Sequence, residues 1–124
     1  MARSILVIDD DIITQKMLVS TLTKAGYSVV VASNGDLGIK AALKEPPNLI
    51  ILDIMMPGKD GIDVASLLRS NPKTEKVPII FLSVLIPESG KKTKSKNDTF
   101  SYLSKPYNEK ELLGEVRRYF LGMN

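Results

Sequence analysis

Leu49-Ile50-Ile51-Leu52, with Asp53 directly behind it, sets four apolar residues in a row with no polar alternation. A strand with one wet face would alternate, so the run reads as a strand covered on both faces, as in a parallel sheet. The same signature recurs at Ile5-Leu6-Val7-Ile8 and Ile79-Ile80-Phe81-Leu82, in shorter form at Val29-Val30-Val31, and more weakly from Phe100 to Leu103. Helical spacing fills most of the gaps. From Thr14, an apolar stripe through Met17, Leu18, Thr21, Leu22 and Ala25 repeats at 3.6-residue spacing until Gly26 stops it. Asn34 can cap a second helix bearing Leu37, Ile39, Ala41, Ala42 and Leu43, which Pro46-Pro47 ends. Gly61 opens a third through Val64, Leu67 and Leu68, closing near Asn71-Pro72. Asn108 with Glu111 forms a capping box for a last helix that buries Leu112, Leu113, Val116 and Phe120.

Alternating strands and helices predict an α/β chain with an open, doubly wound parallel sheet and helices on both faces. One connection departs from the pattern. Between Pro87 and Asp98 there is no large apolar side chain, so a helix there has no face to bury and is expected to be degenerate.

The 124 residues suit one domain, 1–124, with 44% hydrophobic and 25% charged residues, the balance of a folded rather than a disordered chain. Cysteine and histidine are both absent, which removes disulfides, thiolate metal sites and histidine acid–base catalysis. No apolar run approaches the ~20 residues of a membrane span, and Met1-Ala2-Arg3-Ser4 does not open a signal peptide. A cytoplasmic location without membrane association is expected. The net charge of +3 is local: Lys91, Lys92, Lys94 and Lys96 fall within six residues, and without those four the remainder carries −1. A solvated loop is the plainer reading of that cluster, and a phosphate-rich or acidic partner the less favoured one.

In such folds ligands gather outside the carboxyl ends of the strands. Those ends deliver Asp9, Asp10 and Asp11, then Asp53, Ser83, and Lys105 followed by Pro106. Two unit charges ~4 Å apart repel by about 4 kcal/mol at an effective dielectric near 20, and a single lysine does not neutralise three acids. An oxygen-only set suits a hard divalent ion, and Mg²⁺ takes one or two carboxylates while keeping waters for a phosphate. One carboxylate is then available as a nucleophile toward phosphorus, with Lys105 stabilising charge on the transferred group and Ser83 donating a hydroxyl hydrogen bond to it.

Three stretches, Ile5-Leu6-Val7-Ile8-Asp9-Asp10-Asp11, Leu52-Asp53-Ile54-Met55-Met56-Pro57-Gly58-Lys59-Asp60-Gly61 and Tyr102-Leu103-Ser104-Lys105-Pro106, resemble bacterial response-regulator receiver domains of two-component signalling, in single-domain form. The resemblance covers essentially the whole chain. It implies a flavodoxin-like five-stranded sheet of order 2-1-3-4-5. It also implies that Asp53 is the phosphoacceptor, that Asp9 and Asp10 bind Mg²⁺ with Asp53 and the backbone carbonyl of Met55, and that Lys105 grips the phosphoryl group. Ser83 matches the switch hydroxyl, Tyr102 the aromatic that turns inward after phosphorylation, and the Lys105-Pro106 bond is expected cis. The donor is then a sensor histidine kinase or phosphotransfer protein, the output a protein partner, and a homodimer is allowed.

Plainer readings stand beside these. Asp11 is read as the start of the first helix rather than a metal ligand. Tyr102 alone is a half-buried sheet residue, Ser83 alone a strand-end serine, Met55-Met56-Pro57 loop packing, and Lys59 solvated. Val84 stands where the family has a small residue, so access to Asp53 is expected to be narrowed. Asp98-Thr99-Phe100-Ser101 departs from the family's approach to the fifth strand, and Phe100 or a second subunit is expected to cover sheet left bare by the degenerate helix. A phosphorylation-independent interaction module on the same scaffold is the alternative function. A Mg²⁺-dependent phosphatase lacks its second acid, since Met55 follows two residues after Asp53, and a flavin protein lacks a glycine-rich phosphate loop after the first strand. Direct DNA binding is not expected, as no helix-turn-helix follows the last helix.

Overall fold

The fold is described from a computed structural model, which covers residues 3–84 and 100–121. Five strands, β1 (Ser4–Ile8), β2 (Ser28–Ala32), β3 (Leu49–Asp53), β4 (Ile79–Ser83) and β5 (Phe100–Ser104), pair in parallel in the order β2-β1-β3-β4-β5. Four helices are seen among the described residues: α1 (Ile12–Lys24), α2 (Gly35–Lys44), α3 (Gly61–Arg69) and, last in the chain, α4 (Glu109–Leu121). The expected degenerate helix between Pro87 and Asp98, and the lysine cluster, lie outside the described residues.

The pleat divides the apolar runs between two cores. Ile5, Val7, Leu49, Ile51, Ile80 and Leu82 face one way, onto Leu18 and Leu22 of α1 and Leu112, Val116 and Phe120 of α4. Leu6, Ile8, Ile50, Leu52, Ile79 and Phe81 face the other, onto Ala42 of α2 and Val64 and Leu68 of α3. Burial on both faces is thus observed for β1, β3 and β4. For β2 it is not. This is an edge strand, and Val30 is 53% exposed with Val31 also open to solvent.

Helix starts follow side-chain chemistry. Asp11 caps α1, accepting from the Thr14 N–H (2.9 Å) and hydroxyl (2.6 Å), so the helix begins at Ile12, two residues ahead of the apolar stripe. Asn34 caps α2 through the Leu37 N–H (2.8 Å), and Asp60 caps α3 through the Asp63 N–H (2.9 Å). The capping box of α4 is formed, with the Glu111 N–H donating to Asn108 Oδ1 (2.7 Å) and the Asn108 N–H to Glu111 Oε1 (3.3 Å).

Three residues expected in the core are instead open: Met17 (56% exposed), Leu37 and Leu67. Ala25 is also exposed, because it is the C-cap of α1 rather than part of its stripe. Each of the three lies at the margin of its helix's stripe, while the neighbour nearer the centre (Leu18, Gly38, Leu68) meets the sheet face. α2 approaches on glycines: a Cβ at Gly38 would lie 2.5 Å from Cδ1 of Ile8. At the other sheet edge, Phe100 is half-buried and packs edge-on against Phe81 (6.3 Å between centroids) and Tyr102 (6.1 Å).

Candidate functional site

The carboxyl ends of four strands, all but β2, deliver polar side chains to one rim. Asp9 follows β1, Asp53 closes β3, Ser83 closes β4, and Lys105 follows β5. Backbone bonds tie these ends together: the Ile54 N–H donates to the Leu82 carbonyl (3.0 Å) and the Lys105 N–H to the Ser83 carbonyl (2.9 Å). Asp9 and Asp53 are almost wholly buried, at 1% and 6% exposed, while Asp10 faces solvent. Lys105 Nζ stands 3.2 Å from Asp9 Oδ2 and 3.6 Å from Asp53 Oδ2, bridging the two. The other oxygens are held by backbone donors, Asp9 Oδ1 by the Asp11 N–H (2.9 Å) and Asp53 Oδ1 by the Met55 N–H (3.2 Å).

The charge is unbalanced. Carboxylate oxygens of Asp9, Asp10 and Asp53 all come within 4.8 Å of one another, against one lysine. Burial pushes the Asp53 carboxyl above its ordinary range and the Asp9 charge adds to that, with Lys105 and the Met55 N–H pulling the other way. Three converging oxygens with no nitrogen or sulfur donor fit a hard divalent cation better than a second ammonium group.

Asp9, Asp10, Asp53 and Lys105 are therefore brought together, and Met55 adjoins them. Ser83 is buried on the same rim. Tyr102 is not part of the acid cluster: it lies on the α2/α3 side of β5, its ring stacked on Phe81 at 5.2 Å. The Lys105-Pro106 bond is cis. Val84 is 61% exposed. Lys59, read from sequence as solvated, pairs with Asp36 at 3.4 Å and is only partly open.

Three further residues support the site without having been singled out for it. The Gln15 side-chain amide donates to the Asp9 carbonyl at 2.6 Å. Tyr107 is close enough to Asp9 that burial, then that charge, push its phenol up to about 12. Gly61 touches β3 directly, since a Cβ there would lie 2.5 Å from the Asp53 carbonyl oxygen. Gly61 was legible as a helix start, but its need to lack a side chain is not. Gln15 reaches Asp9 from the first turns of α1, six residues on, and Tyr107 only because the chain folds back there.

The comparisons with known proteins agree with this geometry. Residues 5–117 match the response regulator receiver domain family. The chain is similar to a probable transcriptional regulator, ycf27, of Pyropia yezoensis, 39% identical over 93% of this chain and 46% of that protein. It therefore spans just under half the length of that relative. It is also similar to protein PilH of Pseudomonas aeruginosa, 32% identical over 98% of this chain and 100% of that one. Among solved structures, a putative response regulator from Chloroflexus aurantiacus is 30% identical and superposes with a TM-score of 0.87, covering 98% of this chain and 99% of that one. With the strand order, the acid cluster and the bridging lysine already in place, these matches decide the matter: the chain belongs to the response regulator receiver domain family.

Proposed function

We propose that the chain, acting as one receiver unit over residues 1–124, accepts a phosphoryl group on Asp53 from the phosphohistidine of a sensor kinase or phosphotransfer protein. The observation that carries this reading is the pairing of a nearly buried Asp53 with Lys105 at 3.6 Å, beside two further acids at the sheet's carboxyl rim. An Asp53 oxygen forms a bond to phosphorus as the donor's P–N bond breaks, and the electron pair departs on the imidazole nitrogen. Lys105 balances charge on the phosphoryl oxygens, and the Ser83 hydroxyl donates to one of them. Mg²⁺, held by Asp9, Asp10, Asp53 and the Met55 carbonyl, would supply the remaining positive charge against the transferring group. The Met55 N–H fixes Asp53 Oδ1, which leaves Oδ2, on the Lys105 side, as the oxygen to attack.

The chain catalyses only its own phosphorylation and dephosphorylation and is a signalling switch rather than a metabolic enzyme. Ser83 and Tyr102 are the residues we assign to the switch. Ser83 is bonded through its carbonyl to Lys105, and Tyr102 lies on the neighbouring strand position to Phe81, so a pull on the Ser83 hydroxyl is felt along both. Exposed Ile12, Met55 and Val84 follow the ends of β1, β3 and β4, an apolar margin suited to docking a protein donor. No described helix is long and apolar enough to cross a membrane. The test is incubation with acetyl phosphate, with Mg²⁺ or with a chelator, followed by intact mass. One phosphoryl group should add to the wild type with Mg²⁺ only, and none to Asp53→Asn. Equal addition to Asp53→Asn would remove Asp53 from this role.

A further inference from the structure

The last ladder bond of β1 runs from the Asp9 N–H to the Ala32 carbonyl (3.1 Å). The next carbonyl, that of Asp9 itself, belongs to a residue 1% exposed, and a buried carbonyl needs a donor. Its donor comes from the first turns of α1: the side-chain amide of Gln15 at 2.6 Å. That carbonyl is half of the rigid peptide plane joining Asp9 to Asp10. Turning the plane changes ψ of Asp9 and φ of Asp10, and so changes the angle at which the two carboxylates leave the strand end.

We propose that Gln15 is a positioning residue for the acid pair: its amide, by holding the Asp9 carbonyl, sets the direction of the Asp10 side chain relative to Asp9 and so the divalent-cation affinity of the site. This inference rests on the cation role proposed for Asp9 and Asp10. The geometry separates the Gln15 contribution from the others around Asp9. Lys105 and the Asp11 N–H hold the Asp9 carboxylate itself, whereas Gln15 holds the backbone between the two acids. Asp10 is exposed, so no packing around its side chain substitutes for a fixed backbone. Gln15 touches neither the cation nor the phosphoryl group in this account.

The experiment compares wild type, Gln15→Met and Gln15→Leu, which add no charge beside the acids and supply no amide donor. The Asp10 backbone amide is followed by ¹⁵N NMR, first without metal and then through a Mg²⁺ titration, with thermal melting as the control for folding. Without metal, the Asp10 amide resonance should move in both variants while the melting temperature stays close to wild type. The Mg²⁺ dissociation constant should rise about tenfold, the lower end for groups that orient metal ligands. An unmoved Asp10 amide together with Mg²⁺ affinity within twofold of wild type would overturn the proposal. Should the wild type itself take up no Mg²⁺, the cation reading fails, and the metal-free Asp10 resonance alone then decides whether Gln15 sets the plane. Should Gln15→Met fail to fold, Gln15→Leu, an uncharged and good helix former at a half-exposed position, gives the same comparison.

Discussion

Asp53 is a carboxylate placed where it is uncomfortable to be charged. Burial and the neighbouring Asp9 raise its pKa, and Lys105 only partly offsets them. A carboxyl whose folded pKa lies above its unfolded one lends full stability only at pH below the unfolded value, and that stability is lost as the pH rises through the folded value. At neutral pH without metal the group therefore works against the fold. Asp53→Asn keeps the shape and removes the charge, so the metal-free variant should melt higher than wild type. Differential scanning calorimetry in chelator checks it. A variant melting below wild type would mean that Lys105 alone already balances the pocket.

At the scale of elements, the strands were legible from sequence because four apolar residues in a row leave little else to form, and the caps because Asn34, Asn108 and Asp11 each carry an acceptor at the right offset. What could not be read was which side of a stripe faces the sheet. Periodicity marks a helix but not how closely it approaches, and α2 approaches through Gly35 and Gly38 rather than Leu37. β2 shows a related limit: a run of valines looks the same in the middle of a sheet and at its edge. The glycines make a sharp test. Gly→Ala inside a helix gains roughly 1 kcal/mol of propensity where there is room. At Gly114 of α4 no atom lies within 4 Å of the new Cβ, and Gly114→Ala should stabilise by about that amount. At Gly38 the Cβ meets three carbons of fully buried Ile8, at 2.5, 2.8 and 3.0 Å, and overpacking of about 1–3 kcal/mol outweighs the propensity gain. Urea midpoints of the two variants should move in opposite directions; a shift of the same sign in both would contradict the close approach of α2 to β1.

Over the whole molecule, the two cores on opposite sides of one sheet converge on a single rim, and the site draws on every strand except β2. The rim residues themselves were legible, because strand ends in a doubly wound fold are known once the strands are. Their support was not, since Gln15 meets Asp9 only through the way α1 turns off β1, and Tyr107 only through tertiary folding. Tyr107 links that support to global stability. Its phenol is raised to about 12, first by burial and then by Asp9, so its contribution is complete below the ordinary tyrosine value near 10 and is lost as the pH rises toward about 12. Urea titrations between about pH 9 and 12 should show wild type losing stability more steeply than Tyr107→Phe, with parallel slopes as the contrary result.

The central physical claim is that three converging carboxylates against one lysine form a site for a divalent cation. Asp10 isolates that claim, because it is exposed and forms no ion pair among the described residues, unlike Asp9 and Asp53, which both face Lys105. Titration calorimetry of the wild type with Mg²⁺ at neutral pH should show uptake of one ion in the millimolar range, and Asp10→Asn should weaken it severely with no loss of thermal stability. The absence of magnesium uptake by the wild type, or uptake that Asp10→Asn leaves unchanged, would contradict the account.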